Sequence, residues 1–139
     1  MGRTLIQYAA LPFRKQQEDV QVLLVTSRET KRWILPKGRP EKKIGARAVA
    51  AQEAFEEAGV AGAMSEKTIG GFPSFKRLPN GDEVSTWVRV YLLDVDTEFS
   101  EWPEKAERER KWIAAEEAAS VVSEAGLAEF LRRFSASKS

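Results

Sequence analysis

The stretch from Gly38 to Val60, GRPEKKIGARAVAAQEAFEEAGV, decides how the rest of this chain is interpreted. Its pattern predicts a helix from about Ala46 to Ala58, with a glycine on either side. Gly45 lacks a Cβ and is an acceptable residue to precede a helix, and Gly59 readily adopts the left-handed conformation that ends one. The apolar residues expected to pack on a sheet are Ala48, Val49, Ala51, Ala54, Phe55 and Ala58.

Three glutamates, Glu53, Glu56 and Glu57, occupy the last two turns of this predicted helix. Their spacings of three and four residues place the carboxylates on one helix face. Negative charge at this end opposes the helix macrodipole and costs roughly a few tenths of a kcal/mol. Convergent carboxylates suit a hard cation such as Mg²⁺, which accepts one or two of them together with phosphate oxygens and water. The alternative is a solvated acidic helix face, because glutamate is common on exposed helices.

With its flanking residues, the stretch resembles the Nudix box, G-x5-E-x7-R-E-U-x-E-E-x-G-U, in which U is aliphatic. The residues at the required spacing are Gly38, Glu53, Glu56, Glu57, Gly59 and Val60, and Ala54 is a small version of the first U. The resemblance implies a Mg²⁺- or Mn²⁺-dependent hydrolase of nucleoside diphosphates linked to another group. It also implies that Glu53, Glu56 and Glu57 are the catalytic residues and hold the metal.

Two positions depart from the box, since Ile44 stands where the family has Glu and Gln52 stands where it has Arg. In the family, the missing pair helps to brace the loop and the helix. Losing one partner would leave a lone buried charge, whereas losing both can be nearly neutral. We expect Ile44 to brace the loop by apolar packing. On this interpretation, Arg at position 52 alone would be buried without a partner and would be harmful.

The composition excludes several kinds of site. The chain has 139 residues, of which 42% are hydrophobic and 31% charged, so we expect one globular Nudix domain over residues 1–139. It contains no cysteine and no histidine. A disulfide, a thiolate nucleophile, a zinc–cysteine site and a Ser-His-Asp triad are therefore excluded. Acid–base chemistry near neutral pH must come from carboxylates, lysine, tyrosine or metal-bound water.

The net charge and the hydropathy pattern limit the partners that we expect. A formal net charge of +1 gives no general reason for binding nucleic acid or a membrane. No apolar run approaches the ~20 residues that span a bilayer, and the segment LIQYAALPF lacks the pattern of a signal peptide. We therefore expect a cytoplasmic protein whose partner is a small polyphosphate or nucleotide substrate. The sequence leaves the oligomeric state open.

Outside the predicted helix, strand patterns alternate with turn signals. The predicted strands are Arg3–Lys15, Val20–Ser27, Trp33–Leu35, Met64–Leu78, Val84–Val95 and Lys111–Ala114. Polar turns predict one hairpin from the first two strands and another from Met64–Leu78 and Val84–Val95. Pro12 suggests that the first strand is an edge strand or carries a bulge. Helical pieces are expected at Ala115–Ser123 and Leu127–Phe134.

Strands around one helix, with further helices for the other sheet face, predict an α+β fold. We expect an α/β/α sandwich around a mixed β-sheet. The Nudix resemblance implies the same fold.

Segments outside the box, VLLVTSR…RWILPKG and EW…R.RKWIAAEEAASVV, resemble the diphosphoinositol polyphosphate phosphohydrolase branch and its bacterial relatives. That branch cleaves pyrophosphates on inositol phosphates and long dinucleoside polyphosphates. The candidate phosphate-binding residues are Arg28, Arg32, Lys37, Gly38 and Arg39, with solubilising surface charge as the alternative for the cations. A second basic group is interpreted as solvated surface and comprises Lys76, Arg77 and Arg89.

Glu53 is the first choice for the general base or for a metal ligand, and the resemblance implies that a base can also lie outside the box. The polar segment Thr97–Arg110 is expected to be a loop or helical turn, and it offers Glu101, Glu104 and Glu107. Two other functions stay open at this point. One is a nucleoside triphosphate pyrophosphatase of the same fold, and the other is a non-catalytic Nudix nucleotide sensor or interaction domain, which the changes at Ile44 and Gln52 would allow.

Overall fold

The computed structural model describes residues 3–138, which form one sheet and three helices. The strands are β1 Leu5–Gln16, β2 Asp19–Thr26, β3 Trp33–Ile34, β4 Lys37–Gly38, β5 Val60–Met64, β6 Gly70–Arg77, β7 Glu83–Glu98 and β8 Arg110–Ala114. The helices are α1 Ala46–Ala58, α2 Ala115–Val121 and α3 Ala125–Lys138. None of these helices is long and apolar enough to cross a membrane.

The sheet is mixed and is built around β1 and β7. Its strand order is β3-β2-β1-β7-β5, while β4 pairs with β1, β6 with β7 and β8 with β2. β1 and β7 run parallel, whereas the other pairs are antiparallel. Both predicted hairpins are present, as β1–β2 and β6–β7.

Alternating residues of the central strands send their side chains to opposite faces of the sheet. Ala10 and Leu23 pack with α1, whereas Ala9 and Leu24 belong to the core beneath α2 and α3. This is the two-faced burial that a covered central strand requires. The predicted α+β fold, an α/β/α sandwich around a mixed sheet, is therefore confirmed.

One predicted strand was wrong in detail, and β4 and most of β5 were missed. The segment predicted as one strand from Met64 to Leu78 is divided, since Met64 ends β5, which begins at Val60, and β6 begins only at Gly70. β5 has the sequence VAGAM, whose small residues give little strand signal. Gly62 is needed there because a Cβ would lie 2.0 Å from the carbonyl oxygen of Asp94 on β7. β4 contains only Lys37 and Gly38, and no periodicity exists in two residues.

Pro12 does not mark an edge, because β1 is central. On one flank β1 pairs continuously with β7, including Pro12 with Leu93. On the other flank it pairs with β4 at Tyr8 and Ala9, and with β2 only from Phe13. Pro12 lies in the gap between these two pairings, where a missing N–H is tolerated.

The packing surface of α1 differs from the predicted one. Ala50 is fully buried although it was not predicted to pack, whereas Ala48 is exposed. Phe55 is 37% exposed and meets Phe99 edge-on at a centroid distance of 5.2 Å. The row of alanines four residues apart, Ala50, Ala54 and Ala58, faces the sheet. Such small residues bring the helix close to the sheet and leave its larger neighbours at the margin.

Candidate active site

α1 ends in a clamp supplied by the segment that follows β7. Gly59 has φ +66°, and its N–H donates to the carbonyl oxygens of Ala54 and Phe55. Trp102 Nε1 donates to the Glu57 carbonyl at 3.2 Å. Arg110 lies over the Trp102 ring, 4.0 Å from its centroid.

The Arg110 guanidinium completes this clamp. Its Nη1 donates to the carbonyls of Ala58 at 2.9 Å and Gly59 at 3.1 Å, and its Nη2 donates to that of Phe99 at 2.9 Å. The carbonyls of Ala58 and Gly59 are among those that a helix end leaves without an internal partner. The carbonyl of Phe99 belongs to the segment after β7. The clamp therefore holds the helix turn that carries the glutamates.

Gly38 brings the chain before α1 against the first glutamate. It pairs with Tyr8 on β1. A Cβ at this position would lie 2.7 Å from Cδ of Glu53, closer than real atoms approach. Glycine is therefore the residue that lets the loop and the carboxylate share this space.

Glu53 and Glu57 form an adjacent carboxyl pair, in which Glu57 is buried and Glu53 is half-buried. Glu57 is 6% exposed, and its Oε1 accepts from the backbone N–H of Lys37 at 3.4 Å. Burial, followed by the hydrogen bond with Glu53, raises the pKa of Glu57 to about 9. Burial also raises the pKa of Glu53, while its bond to Glu57 acts in the opposite direction. Two adjacent carboxyls, one of them buried, resist carrying two negative charges, so in isolation they share a proton.

Glu56 is placed differently from this pair. Its side chain makes no hydrogen bond or ion pair within residues 3–138, although its charge helps to raise the pKa of Glu53. In the same part of the chain, no three carboxylates are gathered closely enough to hold a metal ion. The structure thus brings together two of the three predicted ligands. Two carboxylates fit Mg²⁺, which takes its other ligands from phosphate and water, and a divalent ion would offset the charge of the pair.

Arg108 is a buried residue beside the carboxyl pair that the sequence did not single out. Its side chain is 8% exposed, and its Nε lies 2.7 Å from Glu104 Oε1. Its Nη2 lies 3.8 Å from Glu57 Oε2, and its Nη1 donates to the Thr26 carbonyl at 3.0 Å. Arg108 therefore links Glu104 to the carboxyl pair. In the sequence, Arg108 and Arg110 share one run of alternating charge. That pattern does not indicate which arginine is buried beside the carboxyl pair.

Of the three predicted base candidates, Glu104 lies nearest the carboxyl pair. Its backbone N–H donates to the Glu56 carbonyl at 3.0 Å. Its charge contributes to the raised pKa of both Glu53 and Glu57. Glu101 instead points to solvent and pairs with Lys105. The third candidate, Glu107, pairs with Arg28 at 3.3 Å, and both side chains are largely exposed.

The predicted phosphate-binding cations are divided between two cavities. Arg28 and Arg32 line a cleft of about 680 Å³. Arg39 lines a separate cavity of about 610 Å³. Two residues interpreted as solvated surface also line them, since Arg77 belongs to the first and Lys76 to the second. Both cavities are large enough for a small-molecule ligand.

Lys37 is the least exposed of the predicted phosphate-binding cations. Burial lowers the pKa of its ammonium group, and the negative charges of Glu124 and Glu57 partly offset that effect. An incoming phosphate would favour the charged form of this lysine.

The account of the two departures from the box was wrong. Ile44 is 36% exposed, so it does not brace the loop by burial. Gln52 is also exposed, and its Nε2 lies 3.4 Å from Glu41 Oε2. An arginine at position 52 would therefore meet solvent and Glu41, and the expected penalty for a buried unpaired charge does not arise.

The chain was compared with known families and proteins. The NUDIX domain family model matches residues 5–136. Nudix hydrolase 16, mitochondrial, of Arabidopsis thaliana is 35% identical over 122 residues, which cover 78% of this chain and 67% of the relative. Diphosphoinositol polyphosphate phosphohydrolase 3-beta of Bos taurus is 36% identical over 118 residues, covering 82% and 66%. The chain thus spans about two thirds of the length of these relatives.

Solved structures show the same fold at lower identity. The C. elegans Ap4A hydrolase has a TM-score of 0.69 and 21% identity, with coverage of 99% of this chain and 100% of that one. The NUDIX domain of Shewanella oneidensis NrtR, complexed with ADP ribose, has a TM-score of 0.67 and 14% identity, covering 99% and 90%. Together with the match over nearly all of the sequence and the box around α1, these findings show that the chain belongs to the NUDIX domain family.

Proposed function

We propose that this protein is a divalent-metal-dependent pyrophosphohydrolase. Its substrate would carry a phosphoanhydride bond, in a nucleoside diphosphate linked to another group, a dinucleoside polyphosphate or a diphosphoinositol polyphosphate. The observation that carries the proposal is the adjacent carboxyl pair of Glu53 and buried Glu57 on the helix of the Nudix box. Two separate cavities are lined by cations. The names of a phosphohydrolase relative and of an Ap4A hydrolase with the same fold support this choice.

Glu53 and Glu57 would hold the metal ion, with Glu56 as a further ligand. A bound Mg²⁺ or Mn²⁺ would neutralise phosphate charge and supply an activated water. The backbone N–H of Lys37 donates to Oε1 of Glu57, and Nη2 of Arg108 lies 3.8 Å from Oε2 of the same side chain. Glu104 is the preferred general base, because it is joined to Arg108 and to the helix backbone.

The cations would bind the substrate phosphates. Arg28 and Arg32 would act from one cavity and Arg39 from the other, with Lys37 and the Gly38 backbone close to the carboxyl pair. Arginine suits this task because its planar guanidinium makes two parallel bonds to a phosphate. The salt bridge of Arg28 with Glu107 is exposed and is therefore easily exchanged for a contact with substrate.

The test is a substrate panel combined with one substitution. We expect turnover of at least one of Ap4A, an inositol pyrophosphate and ADP-ribose in Mg²⁺ or Mn²⁺, and none in chelator. Glu57→Gln should lower kcat at least about 100-fold, equivalent to roughly 3 kcal/mol of barrier. Glu101→Gln, which alters an exposed carboxylate, is the matched control and should keep wild-type turnover. Wild-type turnover in Glu57→Gln would refute the metal assignment.

The same panel decides between this function and its alternatives. Preferential cleavage of nucleoside triphosphates to monophosphates would indicate the pyrophosphatase of the same fold. Nucleotide binding without metal-dependent turnover of any panel member would indicate a sensor or interaction domain. The departures at Ile44 and Gln52 are the feature that favours this last outcome.

A further inference from the structure

The cavity that contains Arg39 combines positive charge with a polar side chain of the sheet. It is lined by cations from three separate segments, Arg3, Arg39 and Lys76, and by Gln7 of β1. It adjoins the candidate active site through Gly38, which precedes Arg39 and contacts Glu53. Its volume of about 610 Å³ falls within the range of small-molecule sites.

Gln7 has a buried polar atom without a partner. The residue is 7% exposed, and its Oε1 has no hydrogen bond within residues 3–138. Buried side-chain polar atoms normally have a partner, and an unsatisfied acceptor is costly. The terminal torsion of glutamine is soft, so the amide can turn toward a ligand in the cavity that the residue lines.

The cations of this cavity are also without ion-pair partners. Over the described residues 3–138, no carboxylate lies within 4.0 Å of the charged groups of Arg3, Arg39 or Lys76. Elsewhere several arginines are paired, such as Arg77 with Glu83 at 3.1 Å. The cavity thus combines uncompensated positive charge with one buried acceptor.

We propose that Gln7 is a specificity-determining residue that accepts a hydrogen bond from a hydroxyl or amino group of the substrate, while the surrounding cations hold adjacent phosphates. The inference rests on the proposed function and narrows its substrate class. A phosphate at this position would satisfy only the amide nitrogen of Gln7 and leave Oε1 unpaired. A sugar, polyol or base that keeps a free donor satisfies the oxygen. The preferred substrate therefore carries an unphosphorylated donor beside its phosphates.

Two substitutions of similar shape separate recognition from folding. Gln7→Met removes the unpaired acceptor of the cavity. Thr86→Val removes the other buried unpaired side-chain oxygen, Thr86 Oγ1, at a residue that is 2% exposed and does not line this cavity. Without ligand, each variant should gain a few degrees in Tm, because each loses a buried unsatisfied group. Only Gln7→Met should affect substrate recognition.

The decisive measurement is kcat/KM on substrates with and without a donor. With Ap4A, Gln7→Met should lose about 10–100-fold, the effect of one buried hydrogen bond. With inorganic tripolyphosphate, which has no such donor, it should stay within about twofold. The same comparison is made with an inositol pyrophosphate that has one free ring hydroxyl and with its fully phosphorylated counterpart. A loss confined to the first would indicate a polyol donor, whereas a loss confined to Ap4A would indicate a nucleoside donor. Unchanged kcat/KM on every donor-bearing substrate, or an equal loss on tripolyphosphate, would overturn the proposal.

A binding experiment keeps this inference separate from the proposed function. Absence of turnover on every substrate would refute the pyrophosphohydrolase but not the role of Gln7. Calorimetry in chelator with adenosine 5′-monophosphate, with an inositol phosphate that keeps a free hydroxyl and with inorganic pyrophosphate then gives a readout without catalysis. Gln7→Met should weaken binding of a donor-bearing ligand and leave that of pyrophosphate unchanged. Equal affinities of wild type and Gln7→Met for both donor-bearing ligands would overturn the inference.

Discussion

Glu104 and Glu101 lie three residues apart in one acidic segment, yet their surroundings differ. Glu104 is bonded to buried Arg108, whereas Glu101 faces solvent. If Glu104 is the general base, Glu104→Gln should lower kcat by about 10²–10⁴-fold. KM and Mg²⁺ affinity should change only a few-fold. Steady-state kinetics and Mg²⁺ titration measure these effects, with Glu101→Gln as the control.

A different pattern would assign Glu104 another role. Parallel losses in kcat and in metal affinity would mean that Glu104 only supports Arg108 and Glu57. Equal, small effects of Glu104→Gln and Glu101→Gln would place the base elsewhere.

Some features of single residues follow from spacing, and others do not. The spacing of four residues predicted that Glu53 and Glu57 share a helix face, and the two side chains do meet. The third glutamate, Glu56, is three residues from Glu53 and is only half-buried, and it contributes its charge to the raised pKa of Glu53 without a hydrogen bond to it. The burial of Arg108 depends on a loop folding back over α1. No local pattern encodes such a contact, so sequence reasoning missed it.

The clamp at the end of α1 predicts that Gly59 tolerates no side chain. A Cβ there would lie 2.5 Å from Cδ2 of Trp102 and 2.8 Å from Nη1 of Arg110, at φ +66°. Gly59→Ala should reduce the free energy of unfolding by about 2–4 kcal/mol, from backbone strain and overpacking together. Denaturant titration measures this change.

Gly45 provides the control at the opposite end of the helix. Its φ is −78°, and nothing lies within 4 Å of a Cβ placed there. Gly45→Ala should therefore cost less than about 1 kcal/mol. If the two variants lost equal stability, the clamp would not be the reason for the glycine at position 59.

At the level of elements, prediction succeeded where the signal was local. The glycines on either side of α1 gave its bounds, Ala46–Ala58, in agreement with the structure. Both hairpins also follow from their turns. β5 was missed because its strand character comes from pairing with β7 and not from its own composition. Pro12 is likewise tolerated in a central strand because β4 ends and β2 begins on either side of it, which its own sequence does not reveal.

The carboxyl pair makes the stability of the whole molecule depend on pH. The folded-state pKa of Glu57 lies at about 9, above the value of about 4.3 for an unperturbed glutamate. Between these values the folded chain keeps a proton that the unfolded chain has released. The stabilisation from that proton is complete below the unfolded pKa and is lost as pH rises through the folded pKa. Without metal, unfolding should therefore become easier from about pH 5 to pH 9.

Glu57→Gln tests this sign, because the amide resembles the protonated carboxyl at every pH. In chelator, denaturant titrations at several pH values should show wild-type stability falling across this interval relative to the variant. Lys37, whose lowered pKa acts in the opposite direction at alkaline pH, is present in both proteins, so its contribution cancels in their difference except for the part that depends on the Glu57 charge. A difference that does not change with pH would mean that the pair keeps no proton in the folded state.

Metal and proton should compete for the same two carboxyls. If Glu53 and Glu57 hold Mg²⁺, binding must release the shared proton, so affinity should rise with pH. Added Mg²⁺ should then stabilise the wild type more at pH 8.5 than at pH 5.5, because the stabilisation grows with the ratio of free Mg²⁺ to its Kd. Calorimetry in two buffers of different ionisation enthalpy measures the proton released. Equal stabilisation at both pH values without proton release would place the ion away from this pair, even if the enzyme were active.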